Sequence, residues 1–130
     1  MRLLIAEDDR ATADVLAKRL REEHYAVDVC YDGADALDYL ATENYDGVIL
    51  DVMMPGINGF EVCKELRNRN GGIGIIMLSA KTQEMDKVSG LLMGADDYIT
   101  KPFNPLEVIA RIKAQLRRYA YFGGMEKKED

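Results

Sequence analysis

Five side chains able to do chemistry stand directly after short apolar runs. Glu7 and Asp8 follow Leu3-Leu4-Ile5-Ala6, Asp51 follows Val48-Ile49-Leu50, Ser79 follows Ile75-Ile76-Met77-Leu78, and Lys101 follows Tyr98-Ile99-Thr100. Asp9 extends the first acidic group. Such runs suit strands covered on both faces, and in an open parallel sheet ligands bind beyond the carboxyl ends of the strands. One edge would thus gather at least three carboxylates, a hydroxyl and an ammonium. Crowding carboxylates is costly: two bare charges about 4 Å apart repel by roughly 4 kcal/mol at an effective dielectric near 20. A hard divalent cation relieves that repulsion, and the all-oxygen donor set suits Mg²⁺, with water and substrate oxygens completing its octahedron. Such an edge is prepared to accept a phosphoryl group: the cation screens an attacking carboxylate from its anionic donor, and lysine and hydroxyl receive the transferred oxygens. The nucleophile would be a carboxylate and the product an aspartyl phosphate. Acids at strand ends are also found as plain solvated loop residues. Complementary chemistry at four separate strand ends favours a site.

The elements that must position these groups follow from the hydrophobic period, which alternates between strand and helix spacing as in a βα repeat. Ala13, Leu16, Ala17 and Leu20 predict a helix over roughly residues 10 to 23. Ala26 to Tyr31 alternates as a strand with Val27, Val29 and Tyr31 on one face, and a second helix after Gly33 carries Ala34, Leu37, Leu40 and Ala41. Gly59, Val62, Cys63 and Leu66 mark the inner face of a third helix. Met85, Val88 and Leu92 lie on a fourth, closed by Gly94, a residue type suited to a left-handed C-terminal turn. The last helix opens with Asn104-Pro105-Leu106-Glu107: a cap, a proline at the first helical position, and an acid three residues after the cap. Its apolar stripe is Val108, Ile109, Ile112 and Leu116, and Gly123-Gly124 is expected to break it. The class is α/β, one doubly wound parallel sheet of five strands with five surrounding helices. That domain is expected over residues 1–122, with 123–130 a charged tail or the start of a linker.

Composition narrows the function. With 17 basic and 23 acidic residues in 130 the chain carries a formal charge of −6, which argues against a broad DNA-binding surface. At 48% apolar and 31% charged residues it reads as a globular domain large enough for a real core. No apolar run approaches a membrane span, and the N-terminus turns acidic at Glu7, too early for a signal peptide. Cys30 and Cys63 read as reduced core residues of a cytosolic protein. The lone His24 excludes a zinc site and reads as a solvated residue at a helix end.

Four segments carry a resemblance. Leu4-Ile5-Ala6-Glu7-Asp8-Asp9, Asp51-Val52-Met53-Met54-Pro55-Gly56, Met77-Leu78-Ser79-Ala80-Lys81 and Gly94-Ala95-Asp96-Asp97-Tyr98-Ile99-Thr100-Lys101-Pro102-Phe103 together resemble a bacterial two-component response-regulator receiver domain of the OmpR/PhoB type, over about residues 2 to 118. The resemblance implies a flavodoxin-like sheet of strand order 2-1-3-4-5. It implies Asp51 as the phosphoacceptor, charged by the phosphohistidine of a sensor histidine kinase or by a small phosphodonor. Asp8 and Asp51 would bind Mg²⁺ directly, Glu7 through water, and the Met53 backbone carbonyl as a further ligand; Asp9 is left as a loop acid without a role. Ser79 takes the hydroxyl position, Lys101 bonds the phosphoryl group, and the Lys101-Pro102 peptide is expected to be cis. The domain would be regulatory, catalysing only its own Mg²⁺-dependent phosphorylation and dephosphorylation, and cytoplasmic.

The same resemblance implies a switch and an output face. Phosphorylation would draw Ser79 toward the phosphoryl group and turn Tyr98 inward; the plainer alternative makes Tyr98 an ordinary half-buried strand aromatic. A phosphorylation-dependent homodimer would pair Lys87 with Glu107, Asp97 with Arg111 and Asp96 with Arg118 across a twofold axis, around Val88, Leu91 and Ala110. The plainer alternative makes Glu107 and Arg111 an intrahelical pair worth about 0.3–0.5 kcal/mol. DNA contact is expected only through a C-terminal domain absent from these residues. The chain departs from the family in lacking a proline before strand four, where Asn68-Arg69-Asn70-Gly71-Gly72-Ile73-Gly74 predicts a more flexible segment. It also has Ser79 where threonine is common and Asn58 where many relatives have aspartate. The resemblance implies that Met53 and Lys81, which flank the site, would tune phosphoryl lifetime.

Three other classes fit less well. A flavodoxin-like FMN carrier needs a glycine- and hydroxyl-rich phosphate loop where this chain has Glu7-Asp8-Asp9. An aspartate-nucleophile phosphatase usually has a second aspartate two residues after the first, where this chain has Met53. A pure docking module would not need the full acid, hydroxyl and lysine set.

Overall fold

The computed structural model describes residues 1–69, 72–80, 88 and 94–129, the side chains of 121–129 excepted. Five strands, β1 (Arg2–Ala6), β2 (Ala26–Cys30), β3 (Gly47–Asp51), β4 (Gly74–Ser79) and β5 (Asp97–Thr100), form one parallel sheet in the order β2-β1-β3-β4-β5. Four helices are described: α1 (Arg10–Glu22), α2 (Gly33–Thr42), α3 (Gly59–Arg69) and α4 (Pro105–Glu129). This is the flavodoxin-like α/β architecture expected. The further helix expected over Met85 to Leu92 lies outside the described residues, Val88 excepted, which is helical.

Successive strand residues point to opposite faces, so a run apolar at every position makes two cores. Leu4, Val48, Leu50, Ile75 and Met77 pack on one side with Val62, Cys63 and Leu66 of α3. Leu3, Ile5, Ile49, Ile76 and Leu78 pack on the other with Leu16 and Leu20 of α1 and Val108 and Ile112 of α4. Each fully buried side chain of this kind contributes about 1.5–3 kcal/mol, which fixes where the strands end. Cys30 and Cys63 are buried and unbridged, and burial pushes their thiols up to about 12 and about 11.

Asp9 has a role that sequence spacing left open: its carboxylate accepts from the Ala11 and Thr12 backbone N–H groups at 3.1 and 3.4 Å, capping α1. At the far end the His24 N–H donates to the Arg21 carbonyl and the Tyr25 N–H to the Leu20 carbonyl, a Schellman closure with His24 at the left-handed position, φ 70°. Glycine adopts that conformation without the side-chain clash. His24→Gly is therefore expected to stabilise the chain by about 1 kcal/mol, read as a rise of a few degrees in the thermal midpoint.

Two helix expectations need correction. On α2 the buried positions are Gly33 and Ala36, with Leu37 and Leu40 packed against the core, while Ala34 and Ala41 are exposed. The true stripe is i, i+3, i+4, i+7, displaced around the helix from the expected one. α4 is not broken at Gly123-Gly124 but continues to Glu129. Each glycine costs only about 1 kcal/mol against alanine, which a long established helix with good formers beyond it absorbs.

The amino-terminal edge of the sheet is closed by a polar network. Arg67 of α3 donates from Nε to the Gly94 carbonyl (2.8 Å), from Nη1 to the Ile73 carbonyl (2.6 Å), and from Nη2 to Asp96 Oδ2 (2.8 Å) and Tyr119 Oη (3.0 Å). Tyr119 in turn donates to Asp96 Oδ1 at 2.9 Å, and the Ile75 N–H to Asp96 Oδ2 at 2.8 Å. Gly94 adopts φ +106°, the left-handed turn expected, and a Cβ there would lie 2.6 Å from Arg67 Cγ, so glycine is required on two counts. Asp96, expected to pair with Arg118 of a second copy, accepts within the chain from Arg67, Tyr119 and the Ile75 N–H. Asn70 and Gly71 lie outside the described residues, but the following Ile73 is buried and held through its carbonyl.

Candidate functional site

The carboxyl edge carries all five chemical side chains named above, with Ser79 at the end of β4 between Asp51 of β3 and Lys101 beyond β5. Ladder hydrogen bonds run one residue past the strands: the Glu7 N–H donates to the Cys30 carbonyl (3.1 Å), the Val52 N–H to Leu78 (2.9 Å), and the Lys101 N–H to Ser79 (2.7 Å). The sheet itself therefore fixes where the site backbone lies. Glu7 and Ser79 are fully buried, Asp51 is 2% exposed, and Asp8 is open to solvent. Carboxylate oxygens of Glu7, Asp8 and Asp51 lie within 4.8 Å of one another. The Lys101 ammonium pairs closely with Glu7 and reaches Asp51 Oδ2 at 3.5 Å. The Lys101-Pro102 peptide is cis, as expected.

Two features of the β3–α3 loop support Asp51. The Met53 N–H donates to Asp51 Oδ1 at 3.1 Å, while the Met53 side chain is largely exposed. Gly59 opens α3 against the strand end, where an added Cβ would fall 2.4 Å from the Asp51 carbonyl oxygen. A glycine at the first helical position was visible in the sequence, but not the neighbour that demands it. Asn58 accepts from the Glu61 N–H at 3.0 Å, so the amide that replaces aspartate here caps α3.

Electrostatics follow from the crowding. Burial, together with the neighbouring Glu7 and Asp8 carboxyls, pushes Asp51 up to about 8. Desolvation acts on Asp8 in the same direction, but hydrogen bonds from Asp51 and Glu7 outweigh it and hold Asp8 below the ordinary carboxylate value. Desolvation would lower Lys101, yet Glu7 and Asp51 outweigh it and hold the ammonium above its ordinary value. Glu7 Oε2 is buried with no partner among the described residues unless the Asp51 carboxyl supplies a proton. That orphaned oxygen and the all-oxygen cluster fit a small divalent cation, whose ligands at about 2.1 Å lie roughly 3–4 Å from one another.

The remaining expected residues are placed as follows. Tyr98 is half-buried and packs against the core on the α2 and α3 side. Arg111 pairs within the chain with Asp97 (2.8 Å) and with Glu107 (3.1 Å). Val88 is 43% exposed, and Arg118 is exposed. Ala110 is exposed and borders a groove with Met1, Tyr25 and Lys113. Lys81, Lys87 and Leu91 lie outside the described residues.

A doubly wound sheet that presents buried carboxylates and a lysine at its carboxyl edge defines a receiver-type α/β domain. The chain belongs to the response regulator receiver domain family, whose sequence profile matches residues 3–113. It is 44% identical over 129 residues to the regulatory protein VanR of Enterococcus faecium, covering 99% of this chain and 55% of that protein. The chain thus spans about half the length of the curated relatives it matches. Its fold is similar to that of a Francisella response regulator receiver domain, with a TM-score of 0.86 and 37% identity, covering 90% of this chain and 97% of that one. It is also similar to the response regulator TrrA of Thermotoga maritima, solved in complex with Mg²⁺ and BeF, with a TM-score of 0.79 and 36% identity, covering 88% and 97%. Among the described residues no helix is long and apolar enough to cross a membrane.

Proposed function

We propose that Asp51 accepts a phosphoryl group from the phosphohistidine of a sensor histidine kinase, and that the resulting change in this domain controls the output of a longer regulator. The observation that carries this reading is the clustering of Glu7, Asp8 and Asp51 oxygens within 4.8 Å with the Lys101 ammonium against them. The complex of the TrrA relative with Mg²⁺ and BeF supports it. Asp8, Asp51 and the Met53 carbonyl would hold Mg²⁺, with Glu7 acting through water. The ion, when bound, supplies positive charge that offsets the crowded carboxylates and the incoming phosphoryl oxygens. Asp51 presents the nucleophilic oxygen, oriented by the Met53 N–H. Lys101 neutralises a transferred oxygen, and Ser79 donates its hydroxyl to another. The domain's chemistry is confined to its own phosphorylation and dephosphorylation.

In the same proposal, Ser79 and Tyr98 carry the switch, and the face containing Val88, Asp97, Glu107 and Arg111, with Lys87 and Leu91, is the phosphorylation-dependent homodimer surface of an OmpR/PhoB-type regulator. Dimerisation then exchanges the internal Asp97–Arg111, Glu107–Arg111 and Asp96–Arg67 pairs for pairs between copies, Asp96 meeting Arg118 of the second copy. The receiver spans residues 1–122, works in the cytoplasm, and governs a DNA-binding domain outside these residues.

Incubation with acetyl phosphate and Mg²⁺ is expected to add the mass of one phosphoryl group to the intact protein, and Asp51→Asn is expected to abolish the adduct. Labelling undiminished in that variant, or none in the wild type with any competent donor, overturns the proposal.

A further inference from the structure

We propose that the apolar cleft beside Lys101 is a leaving-group subsite that selects small organic phosphodonors carrying a planar apolar group. The inference rests on the reading of Asp51 as phosphoacceptor. The cleft has a volume of about 600 Å³, within the range of about 300–1,000 Å³ common for organic-ligand sites. Ala11 and Val15 of α1 form one wall, and Pro102 and Phe103, between β5 and α4, form the other. Among the described lining residues, Thr12 and Lys101 bring the polar side-chain heads.

Two observations decide what occupies it. Lys101 lines the cleft and also lies 3.5 Å from Asp51 Oδ2, so cleft and acidic site are continuous through one side chain. A phosphoryl group set between Asp51 and Lys101 leaves the rest of its donor beside the apolar walls. Val15 is 50% exposed and Phe103 only half-buried, so covering them removes apolar surface from water. No carboxylate is among the described residues lining the cleft, and the Lys101 ammonium is the charge they offer a departing anion.

The transfer balances without a further reactant. An Asp51 carboxylate oxygen forms a bond to phosphorus as the bond from phosphorus to the acyl oxygen breaks. The electron pair leaves on that oxygen, giving a free organic carboxylate. No proton moves, and total charge is unchanged. Because an aromatic acid and acetic acid are leaving groups of similar strength, a rate difference between their acyl phosphates reads the cleft.

The experiment compares acetyl phosphate and benzoyl phosphate at equal subsaturating concentrations with Mg²⁺, following the phosphoprotein by intact mass. Benzoyl phosphate is expected to label about tenfold faster, the gain from covering a ring with apolar walls. Ala11→Phe, which fills the cleft from an exposed helix position, is expected to bring the ratio of the two rates near unity, and Val15→Ser to lower it. Acetyl phosphate labelling with a wild-type ratio near unity, or a ratio that neither variant changes, overturns the subsite and leaves Asp51 as phosphoacceptor. Absence of labelling by both donors overturns the phosphoacceptor reading itself.

Discussion

Metal-free protein carrying Asp51→Asn is expected to resist urea better than the parent chain at pH 8, and to lose the parent's dependence on pH. Asp51 is 2% exposed and is pushed from 3.8 to about 8, first by burial and then by Glu7 and Asp8. Between those values the folded chain keeps a proton that the unfolded chain has released. Stability contributed by that proton is complete below 3.8 and is lost as pH rises through the folded value near 8. Each unit inside the window removes at most about 1.4 kcal/mol, and solvent reaching the open Asp8 side softens this to a total of roughly 2–4 kcal/mol. Asp8 acts with the opposite sign: its depressed value gives stability that is present above 3.8 and lost on acidification. Lys101 is raised, so its contribution persists up to 10.5 and is lost above. Neither group titrates between pH 4 and pH 8, so among the shifted groups of this site the slope there is that of Asp51. Urea midpoints of the chelator-treated wild type should fall from pH 5 to pH 8, and those of Asp51→Asn should stay level. Added Mg²⁺ should raise the wild type at pH 8 and the variant little. A level wild-type profile would show that something other than a retained proton relieves the crowding.

Arg67→Ala is expected to destabilise the chain by about 3–5 kcal/mol, because it strands the Asp96 carboxylate in a partly buried place. Arg67 and Asp96 side chains are 17% and 12% exposed, and Arg67 also closes the Gly94 and Ile73 carbonyls. By contrast Arg69, whose i, i+4 pair with Glu65 is 45% exposed, should cost no more than about 0.5 kcal/mol when replaced by alanine. Urea titration at pH 7 separates the two, and adding Asp96→Asn to Arg67→Ala should recover part of the loss. Equal effects at the two arginines would mean that the network is solvated and contributes little.

What the sequence disclosed, and what it withheld, divides along physical lines. Strands buried on both faces leave uninterrupted apolar runs, so their ends were legible, and with them Glu7, Asp8, Asp51, Ser79 and Lys101. Inner faces of α1, α3 and α4 were legible because their apolar residues recur at full helical spacing. α2 was misplaced because alanines fit either face equally. Asp9 looked like its neighbours, since residue type does not say whether a carboxylate turns toward a site or toward the next helix's N–H groups. Asp96 shows a related limit: its sign suits an intermolecular pair, and sequence did not show that an arginine 29 positions earlier on another helix engages it within the chain. The cleft beside Lys101 left no signal, for its walls are ordinary small and apolar residues that meet only when α1 and the segment after β5 are brought together.

The pairing order of the sheet also has a meaning in time. Lys101 directly follows β5 and Glu7 directly follows β1, with Asp51 at the end of β3 midway between them in the chain. A polypeptide still emerging from the ribosome therefore exposes its acids long before their counter-charge exists. The charge that faces these acids is in place only once synthesis has passed Lys101.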